Sequence, residues 1–441
     1  MKLHVYTPEF LGSGGGVATY YRGLLPALAE LGCRVRVTEG GAARAVPGGD
    51  RRSVGGVEVE VLDLERLDRW RARLPALDAA PRLQRDLAAA WAMWELSAGA
   101  GEAEVVEACD FGLSFVPPIL AGGPPAVVQM HGGAGQLAIH DPLRGRELDG
   151  LLALAVETAV LPAAAAVQTL SAANAAYWSA QSARTVSVRR PAWAPGPRVE
   201  PSPGERLVVI GRLQRWKGPH VLCEALRALG PGAPGVDWYG RDTEIERPGR
   251  RVSAWLAERY PDIWGDRLRR LDPIPPEAVA ARQASALLNI VPSTWDVFNL
   301  TAVEAMASGR PLVISNGAGA SELVADGETG FVYAGDDPAA LAQAIARALS
   351  LPPARLAEIG AAARAQVIEA LAPARIAAER IAAYEAARTA TAAAPVADFA
   401  ARVCRPAGAA ADPDFAFLEG HPLSALAAHV ARRGLGKVFG R

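Results

Sequence analysis

The sequence predicts an α/β protein with two doubly wound units, and three observations support this. Apolar strand-like runs alternate with helical stretches rich in Ala, Leu and Arg, as in a mostly parallel sheet with helices on both faces. The alternation begins twice, on either side of residues 190–204, which carry five prolines and cannot form a regular element. The length of 441 residues also exceeds what one hydrophobic core usually supports.

The first unit takes up residues 1–190. Its first helix is expected from about Val17 to Leu31, and its strands are apolar enough to be covered on both faces of a sheet. These predicted strands are residues 2–8, 33–39, 57–62, 104–109, 126–131 and 164–170. A Pro-rich linker at 191–205 follows them.

The second unit takes up residues 206–372, and residues 373–441 are expected to hold a helix and a tail of undefined role. In sheets of this kind ligands bind beyond the carboxyl ends of the strands, so two facing units predict one cleft between them. The predicted strands are 207–211, 236–239, 286–291 and 311–315, and the predicted helices are 218–229, 252–260, 276–284 and 300–308.

Composition excludes several classes of protein. A net charge of −1 and a pI of about 6.6 argue against a general nucleic-acid binder. The four cysteines are far apart and form no CxxC pair, which fits a reducing compartment. The amino terminus lacks the apolar stretch of a signal peptide, and the longest apolar run, 151–170, is interrupted by Glu157 and Pro162. We therefore expect a cytoplasmic protein.

A Gly-rich turn, residues 12–16, separates the first predicted strand from the first helix. Glycines there allow backbone N–H groups to approach an anionic ligand closely. The turn does not match the GxGxxG pattern of dinucleotide sites, because its third position falls on Val17. A flexible loop without a ligand is the alternative.

A second candidate site contains Lys217. Lysine occupies three of the 46 basic positions, and Lys217 is the copy that lies away from the chain ends. Together with Arg212 it flanks the turn between a predicted strand and a predicted helix. Two cations beside a helix N-terminus suit a diphosphate, although the segment lacks the Walker pattern. A surface lysine is the alternative.

The third candidate site is the segment 292–309, where a buried strand leads through a loop into a helix. Asp296 lies on the loop and Glu304 on the helix, so both carboxylates can face one ligand. Carboxylates accept hydrogen bonds from the hydroxyls of a sugar or a ribose. The free N–H groups of the first helical turn, near Asn299 to Thr301, would bind phosphate oxygens. An N-capped helix with a surface Glu is the alternative.

These segments resemble a known family. The stretches GRLQRWKG, residues 211–218, and PSTWDVFNLTAVEAMASGRPLVIS, residues 292–315, are similar to retaining glycosyltransferases of the GT-B fold, in particular glycosyltransferase family 4. The resemblance covers residues 207 to about 350 well. In the first unit it rests on the Gly-rich turn and on residues 127–132 and 167–171. It implies two Rossmann-like domains that face each other across a cleft.

The resemblance also implies site residues. The implied catalytic residues are His131, Arg212, Lys217 and Asp296. The implied donor-binding residues are Gly14, Gly15, Gly16, Arg212, Lys217, Asp296, Phe298, Asn299, Leu300, Thr301 and Glu304. Two positions depart from the family pattern, because Asp296 replaces a Glu and Asn299 replaces a Gly. Asn299 could therefore narrow the sugar pocket or contact the sugar.

The function that the resemblance implies is transfer of a sugar from a UDP- or GDP-linked donor to an unidentified acceptor, with retention at the anomeric carbon. No metal and no cofactor are expected, since the donor is a substrate, and Asp412-Pro-Asp414 is interpreted as a coincidental DxD motif. The alternatives are a nucleotide-sugar epimerase or phosphorylase of the same fold and a non-catalytic nucleotide-sugar-binding subunit.

The acceptor is expected on the first unit, whose segment 63–103 is rich in Arg, Leu and Trp. Its tryptophans are expected in a core, with an aromatic acceptor surface as the alternative. An Arg-bearing amphipathic helix in this segment would also allow peripheral contact with the inner face of an anionic membrane. The sequence does not define an oligomeric state.

Overall fold

The computed structural model describes residues 1–11, 15–41, 45–141, 148–202, 204–245, 247–390, 394–406 and residue 431. These residues form two large sheets, one built from strands between residues 2 and 188 and one from strands between 207 and 333. Both sheets are mostly parallel and carry helices, so the chain has the α/β GT-B architecture of two Rossmann-like units that the sequence predicts.

The first sheet has eight strands in the order β3-β4-β2-β1-β5-β6-β7-β8. Its neighbours pair in parallel except β3 and β4, which form an antiparallel hairpin at one edge. The strands are β1 Lys2–Thr7, β2 Arg34–Glu39, β3 Asp50–Val54, β4 Val57–Val61, β5 Val105–Cys109, β6 Ala126–Met130, β7 Ala166–Thr169 and β8 Ser187–Val188. The helices are α1 Gly16–Glu30, α2 Leu64–Arg71, α3 Pro81–Leu96, α4 Val116–Ala121, α5 Ala134–His140, α6 Leu148–Val160 and α7 Ala172–Ser182.

The second sheet has six parallel strands in the order β13-β10-β9-β14-β15-β16, and a small antiparallel hairpin, β11-β12, lies outside it. The strands are β9 Leu207–Ile210, β10 Val236–Tyr239, β11 Glu244–Ile245, β12 Arg247–Arg251, β13 Leu268–Leu271, β14 Asn289–Val291, β15 Leu312–Ser315 and β16 Phe331–Tyr333. The helices are α8 Pro219–Leu229, α9 Val252–Arg259, α10 Pro276–Ala284, α11 Leu300–Ala307, α12 Pro338–Leu349, α13 Pro353–Ala370, α14 Pro373–Arg388 and α15 Asp398–Cys404.

Local chemistry explains where several helices begin. Side-chain oxygens accept hydrogen bonds from the free N–H groups of the first turn, which would otherwise lack partners. The residues that do so are Asp63 for α2, Ser171 for α7, Asn299 for α11 and Asp337 for α12. Helices α3, α8, α10 and α12–α14 have a proline in the first turn, where its missing N–H costs nothing.

The central strands were predicted correctly, and the strands that the sequence analysis missed are the β11-β12 hairpin and the four strands at the edges of the two large sheets. β3, β8, β13 and β16 each occupy or approach an outer position of a sheet. β3 reads Asp-Arg-Arg-Ser-Val and β13 reads Leu-Arg-Arg-Leu, so neither shows the apolar run of a covered strand. An edge strand faces solvent and tolerates charge, which removes the sequence signal.

The carboxyl-terminal helices return to the first unit, which the sequence analysis did not foresee. The backbone N–H of Trp193, in the linker, donates to the carbonyl of Leu371 at 2.9 Å. The segment that enters the second unit and the segment that leaves it are therefore adjacent here. Beyond this point α14 packs on α1, β5 and β6, and α15 packs on α6. The indole N–H of Trp91 donates to the carbonyl of Cys404 at 2.7 Å. The Asp412–Asp414 motif and most of the predicted tail beyond residue 406 lie outside the described residues.

The tryptophans of segment 63–103 belong mainly to the core, as expected. Trp70 and Trp91 are buried and stack with ring centroids 5.7 Å apart. Within the part of the chain that the structure describes, no helix is both long and apolar enough to cross a membrane.

Candidate active site

The carboxyl ends of the two sheets meet at one cleft. Gly132, just after β6, lies so close to the second unit that a Cβ there would be 3.2 Å from Val297 and 3.3 Å from Trp295. The ring of Trp295 stacks on His140 with centroids 4.0 Å apart. The carboxylate of Glu322 accepts from the N–H of Ala172 at 2.7 Å, at the N-terminus of α7. The loops after β6 and β7 therefore contact the loops after β14 and β15.

Lys217 lies on a tight turn that packs against the end of β14. The turn leads from β9 through a short 3-10 helix into α8. Gly218 has φ = 74°, and a Cβ there would lie 1.8 Å from the carbonyl oxygen of Pro292, so the close approach requires glycine. This packing brings the Lys217 ammonium into an ion pair with the carboxylate of Asp296. Two of the predicted site residues are thus in direct contact.

Arg212 follows β9 and reaches the same cleft. Its side chain remains accessible to solvent although protein surrounds it on most sides. Desolvation lowers the pKa of Arg212, and the carboxylates of Asp296 and of Glu9, from the first unit, act in the opposite direction. Charges from both units therefore converge around Arg212.

Glu304 carries a carboxyl group on the second turn of α11. Burial raises its pKa to about 7, and among the described residues no hydrogen-bond donor contacts it. The N–H groups of Leu300 and Thr301, at the start of α11, also lack an acceptor within the described chain. Phe298 is only 2% exposed, so its side chain belongs to the core. Its backbone carbonyl accepts a hydrogen bond from the Ala320 N–H at 2.7 Å.

Asn299 adopts the left-handed backbone conformation that favours glycine, with φ = 80°. Its Oδ1 accepts from the Ala302 N–H at 3.2 Å and from the Thr301 hydroxyl at 2.6 Å, and its amide donates to Ser293 at 3.4 Å. The side chain thus caps α11, and its contacts explain how a residue other than glycine fits here.

Asn299→Ala is expected to lower the free energy of unfolding by about 2 kcal/mol, because it loses the cap and keeps the left-handed strain. Asn299→Gly should cost only a few tenths of a kcal/mol, about the difference seen between capping residues. Urea unfolding of both variants measures these changes in the free energy of unfolding. Asp337→Ala is the matched control, since it removes the cap of α12 at φ = −114° and should cost only about 1 kcal/mol. Equal costs for Asn299→Ala and Asn299→Gly would contradict the backbone argument.

His131 directly follows β6, at the carboxyl edge of the first sheet. Its ring packs edge-on against Tyr20, with centroids 4.6 Å apart, and against Tyr21 at 5.6 Å. Burial lowers the pKa of His131 to about 3, so the ring is neutral near pH 7, and its Nε2 has no partner among the described residues. Gly15 and Gly16 lie at the start of α1, whereas Gly14 lies outside the described residues.

Two buried carboxyl groups behind His131 were missed by the sequence analysis. Asp110 accepts from the N–H groups of His131 at 2.8 Å and Gly132 at 3.0 Å, and Glu157 accepts from the N–H of Gly135 at 3.0 Å. Burial raises the pKa of Asp110 to about 6 and that of Glu157 to about 8. They hold the His131 loop by its backbone. The sequence signals that could have identified them are the position of Asp110 directly after a covered strand and the position of Glu157 within an apolar run.

Glu157→Gln is expected to change how stability depends on pH. The folded protein keeps the Glu157 proton up to about pH 8, whereas an unfolded Glu releases it near its ordinary pKa of 4.5. The Glu157 contribution to stability is therefore present below pH 4.5 and is lost as pH rises towards 8. The slope is at most about 1.4 kcal/mol per pH unit. Relative to wild type, Glu157→Gln should gain stability from pH 5 to pH 8 in urea unfolding; a pH-independent difference would contradict this.

No group of three or more His, Cys, Asp or Glu side chains able to hold a metal ion occurs within the described ranges.

Two facing α/β units that meet at one cleft are the architecture of the GT-B class of protein. A model described as "Glycosyl transferase 4-like domain" matches residues 15–191, and one described as "Glycosyl transferases group 1" matches residues 204–350. The chain belongs to glycosyltransferase family 4.

Similar proteins fall into curated relatives and solved structures. The D-inositol 3-phosphate glycosyltransferase of Corynebacterium diphtheriae is 35% identical over 154 residues, which are 34% of this chain and 35% of the relative. The match therefore spans only about a third of that relative's length. Sucrose-phosphate synthase of Thermosynechococcus elongatus superposes with a TM-score of 0.67 at 22% identity, over 87% of this chain and 98% of the other. Anabaena HepE in complex with UDP and glucose superposes with a TM-score of 0.60 at 18% identity, over 87% of this chain and 99% of the other. These structures share the fold.

Proposed function

We propose that the protein transfers a sugar from a UDP- or GDP-linked donor to a hydroxyl group of an acceptor, with retention at the anomeric carbon. The convergence of Arg212 and Lys217 on Asp296 carries this proposal, and Glu304 lies on α11, the helix that follows Asp296. The cations suit the donor diphosphate, and the carboxylates suit hydroxyl groups on its two sides. Family membership and the UDP complex of a structural neighbour support it.

The leaving group is the nucleoside diphosphate. As the bond between the anomeric carbon and the phosphate oxygen breaks, negative charge grows on the diphosphate, and Arg212, Lys217 and the N–H groups of Leu300 and Thr301 stabilise it. These groups supply the positive potential without a role for a metal. Donor binding exchanges the Lys217–Asp296 ion pair for a Lys217–phosphate contact and frees Asp296 for a sugar hydroxyl.

The acceptor attacks on the face from which the diphosphate leaves. Its oxygen forms the new bond to the anomeric carbon, and its proton passes to an oxygen of the leaving phosphate, so atoms and charge balance. Glu304 accepts from the ribose hydroxyls. Its pKa of about 7 falls when it gains these donors, because hydrogen bonds favour the ionised form. His131 lies on the loop after β6, and its ring is neutral near pH 7.

A donor panel tests the proposal. Thermal shifts with UDP- and GDP-linked sugars identify the donor, and release of the nucleotide is then measured with candidate acceptors, with and without EDTA. Retention is read from the anomeric proton of the product. Binding without release, for every donor and acceptor extract, would favour a non-catalytic binding subunit. Conversion of the donor sugar without release would favour an epimerase, and release that requires inorganic phosphate would favour a phosphorylase.

The acceptor does not follow from the relatives. The curated relatives are named for D-inositol 3-phosphate, a phosphorylated polyol, but they match over only about a third of their length. This compound is therefore one acceptor to be tested.

A further inference from the structure

The side chain of Glu9 lies at the start of α1. A Cβ on Gly15, the residue before the first helical turn, would overlap the Glu9 carboxylate, so this group lies directly against the helix N-terminus. The first N–H groups of a helix carry a partial positive charge and attract anions. The half-buried carboxylate of Glu9 therefore occupies a place that suits an anionic ligand.

Glu9 also belongs to the electrostatic environment of Arg212. Desolvation lowers the pKa of Arg212, and the charges of Asp296 and Glu9 act against it. Lys217 forms an ion pair with Asp296. The two cations assigned to the donor diphosphate thus have two resident carboxylates, one from each unit. An incoming phosphate must compete with both, because like charges repel strongly in a partly desolvated site.

The backbone on both sides of Glu9 is held by hydrogen bonds, so the side chain is the part that can move. The Thr7 hydroxyl donates to the carbonyl of Glu9 at 3.0 Å, and the Leu11 N–H donates to the carboxylate of Glu39 at 2.9 Å. Glu9 also lines a cavity of about 150 Å³ at the carboxyl ends of β1, β2 and β5, which has room for a carboxylate. The Glu9 side chain therefore has two places to lie, against α1 or in the cavity.

A buried hydroxyl group in this cavity has no partner. Ser114 is only 2% exposed, and its Oγ lacks a hydrogen-bond partner among the described residues, a rare and costly state in native proteins. A Cβ on Gly112 would lie 4.0 Å from this Oγ and 3.9 Å from Pro8, so Ser114 is near the residue that precedes Glu9. Asp86, the other acidic residue of the lining, already has an interaction partner. The Ser114 hydroxyl is thus a suitable donor for a carboxylate turned into the cavity.

We propose that Glu9 is a resident carboxylate of the donor site, which the donor diphosphate displaces into the cavity beside Ser114 and which returns when the nucleotide leaves. This role rests on the proposed glycosyltransferase function. The nucleoside diphosphate left after transfer carries more negative charge than the sugar donor, because its terminal phosphate ionises a second time with a pKa of about 6. Return of Glu9 to the side of Arg212 therefore favours release of the product nucleotide over release of the donor.

Glu9→Gln tests the displacement on the full-length protein. Isothermal titration calorimetry with UDP and GDP identifies the nucleotide that the wild type binds. The variant should bind this nucleotide about fivefold more tightly, because one repelling charge is gone. The matched nucleoside, uridine or guanosine, should show no change, since it carries no phosphate. Unchanged or weaker binding of the diphosphate in Glu9→Gln would overturn the proposal.

Glu30→Gln is the matched control, because it removes an exposed carboxylate at the other end of α1. It should leave the affinity for the nucleotide unchanged. Product inhibition by the same nucleotide in the transfer assay should strengthen about fivefold in Glu9→Gln and stay at the wild-type level in Glu30→Gln. Equal gains in the two variants would show an effect of net charge and refute a local displacement.

Ser114→Ala tests where the carboxylate goes. Loss of the hydroxyl should weaken nucleotide binding roughly threefold in the wild-type background, since the displaced Glu9 loses its donor. In the Glu9→Ala background the same substitution should have no effect, because no carboxylate enters the cavity. Equal effects in the two backgrounds, or no effect in either, would rule out the cavity as the second position of Glu9.

Lys217→Ala, titrated in parallel, separates this proposal from the proposed function. If neither UDP nor GDP binds the wild type, or if Lys217→Ala binds as tightly as the wild type, the assignment of the donor site fails. If Lys217→Ala weakens binding while Glu9→Gln leaves it unchanged, only the role of Glu9 fails.

Discussion

Lys217→Ala is expected to lower nucleotide release from the sugar donor by about 10²–10³-fold, the usual effect of removing one preorganised group that stabilises a developing charge. The Lys217 side chain is about one-fifth exposed and its ammonium is already held at the cleft by Asp296, so it needs little reorganisation to meet a phosphate. Steady-state kinetics with the donor identified by thermal shift measures the effect.

Arg215→Ala is the matched control for this experiment. Arg215 lies on the same 3-10 turn, but its guanidinium packs over the Trp255 ring, 5.5 Å from the ring centroid. Its loss should leave the rate within a few-fold of wild type. Full activity in Lys217→Ala, or equal losses in the two variants, would contradict the assignment of Lys217 to the donor phosphates.

Arg380→Ala is expected to lower the free energy of unfolding by about 3–5 kcal/mol, as when one partner of a buried charged pair is removed. Arg380 is fully buried on α14. It donates to Gln129 at 2.6 Å and lies 4.0 Å from the carboxylate of Glu107. Glu107 also accepts from the hydroxyl of Tyr384 at 2.6 Å. Urea unfolding followed by tryptophan fluorescence measures the loss.

Two further variants make the Arg380 result specific. Arg375→Ala removes a half-exposed arginine from the same helix, where it pairs with Glu379, and should stay close to wild type. Arg380→Met combined with Glu107→Gln replaces the charges by groups of similar size, and should recover part of the loss. A double variant less stable than Arg380→Ala would show that the arginine packs rather than pairs.

The donor side of the site was predictable because it is local in sequence. Lys217 and Asp296 each follow a covered strand of the second sheet, and parallel strands bring their carboxyl ends to one edge. The roles of these residues remain predictions. Their contact depends on one glycine, Gly218, at which the turn approaches Pro292.

The remaining features depend on contacts that sequence separation hides. Asp110 and Glu157 lie 47 positions apart and act on one loop behind His131. Arg380 contacts Gln129 across 251 positions. A buried charge on this Ala-rich helix has no periodicity that distinguishes it from exposed arginines such as Arg375, so only the folded structure separates them.

The return of α14 and α15 to the first sheet has a consequence for how the protein is made. Residues 373–404 are translated after the whole second unit, yet α14 covers α1, β5 and β6. During synthesis the first unit must wait, with Glu107 and Gln129 lacking Arg380, until the whole second unit has been translated. The two units are thus unequal folding substrates, since the second is contiguous and the first closes only after the second has been translated.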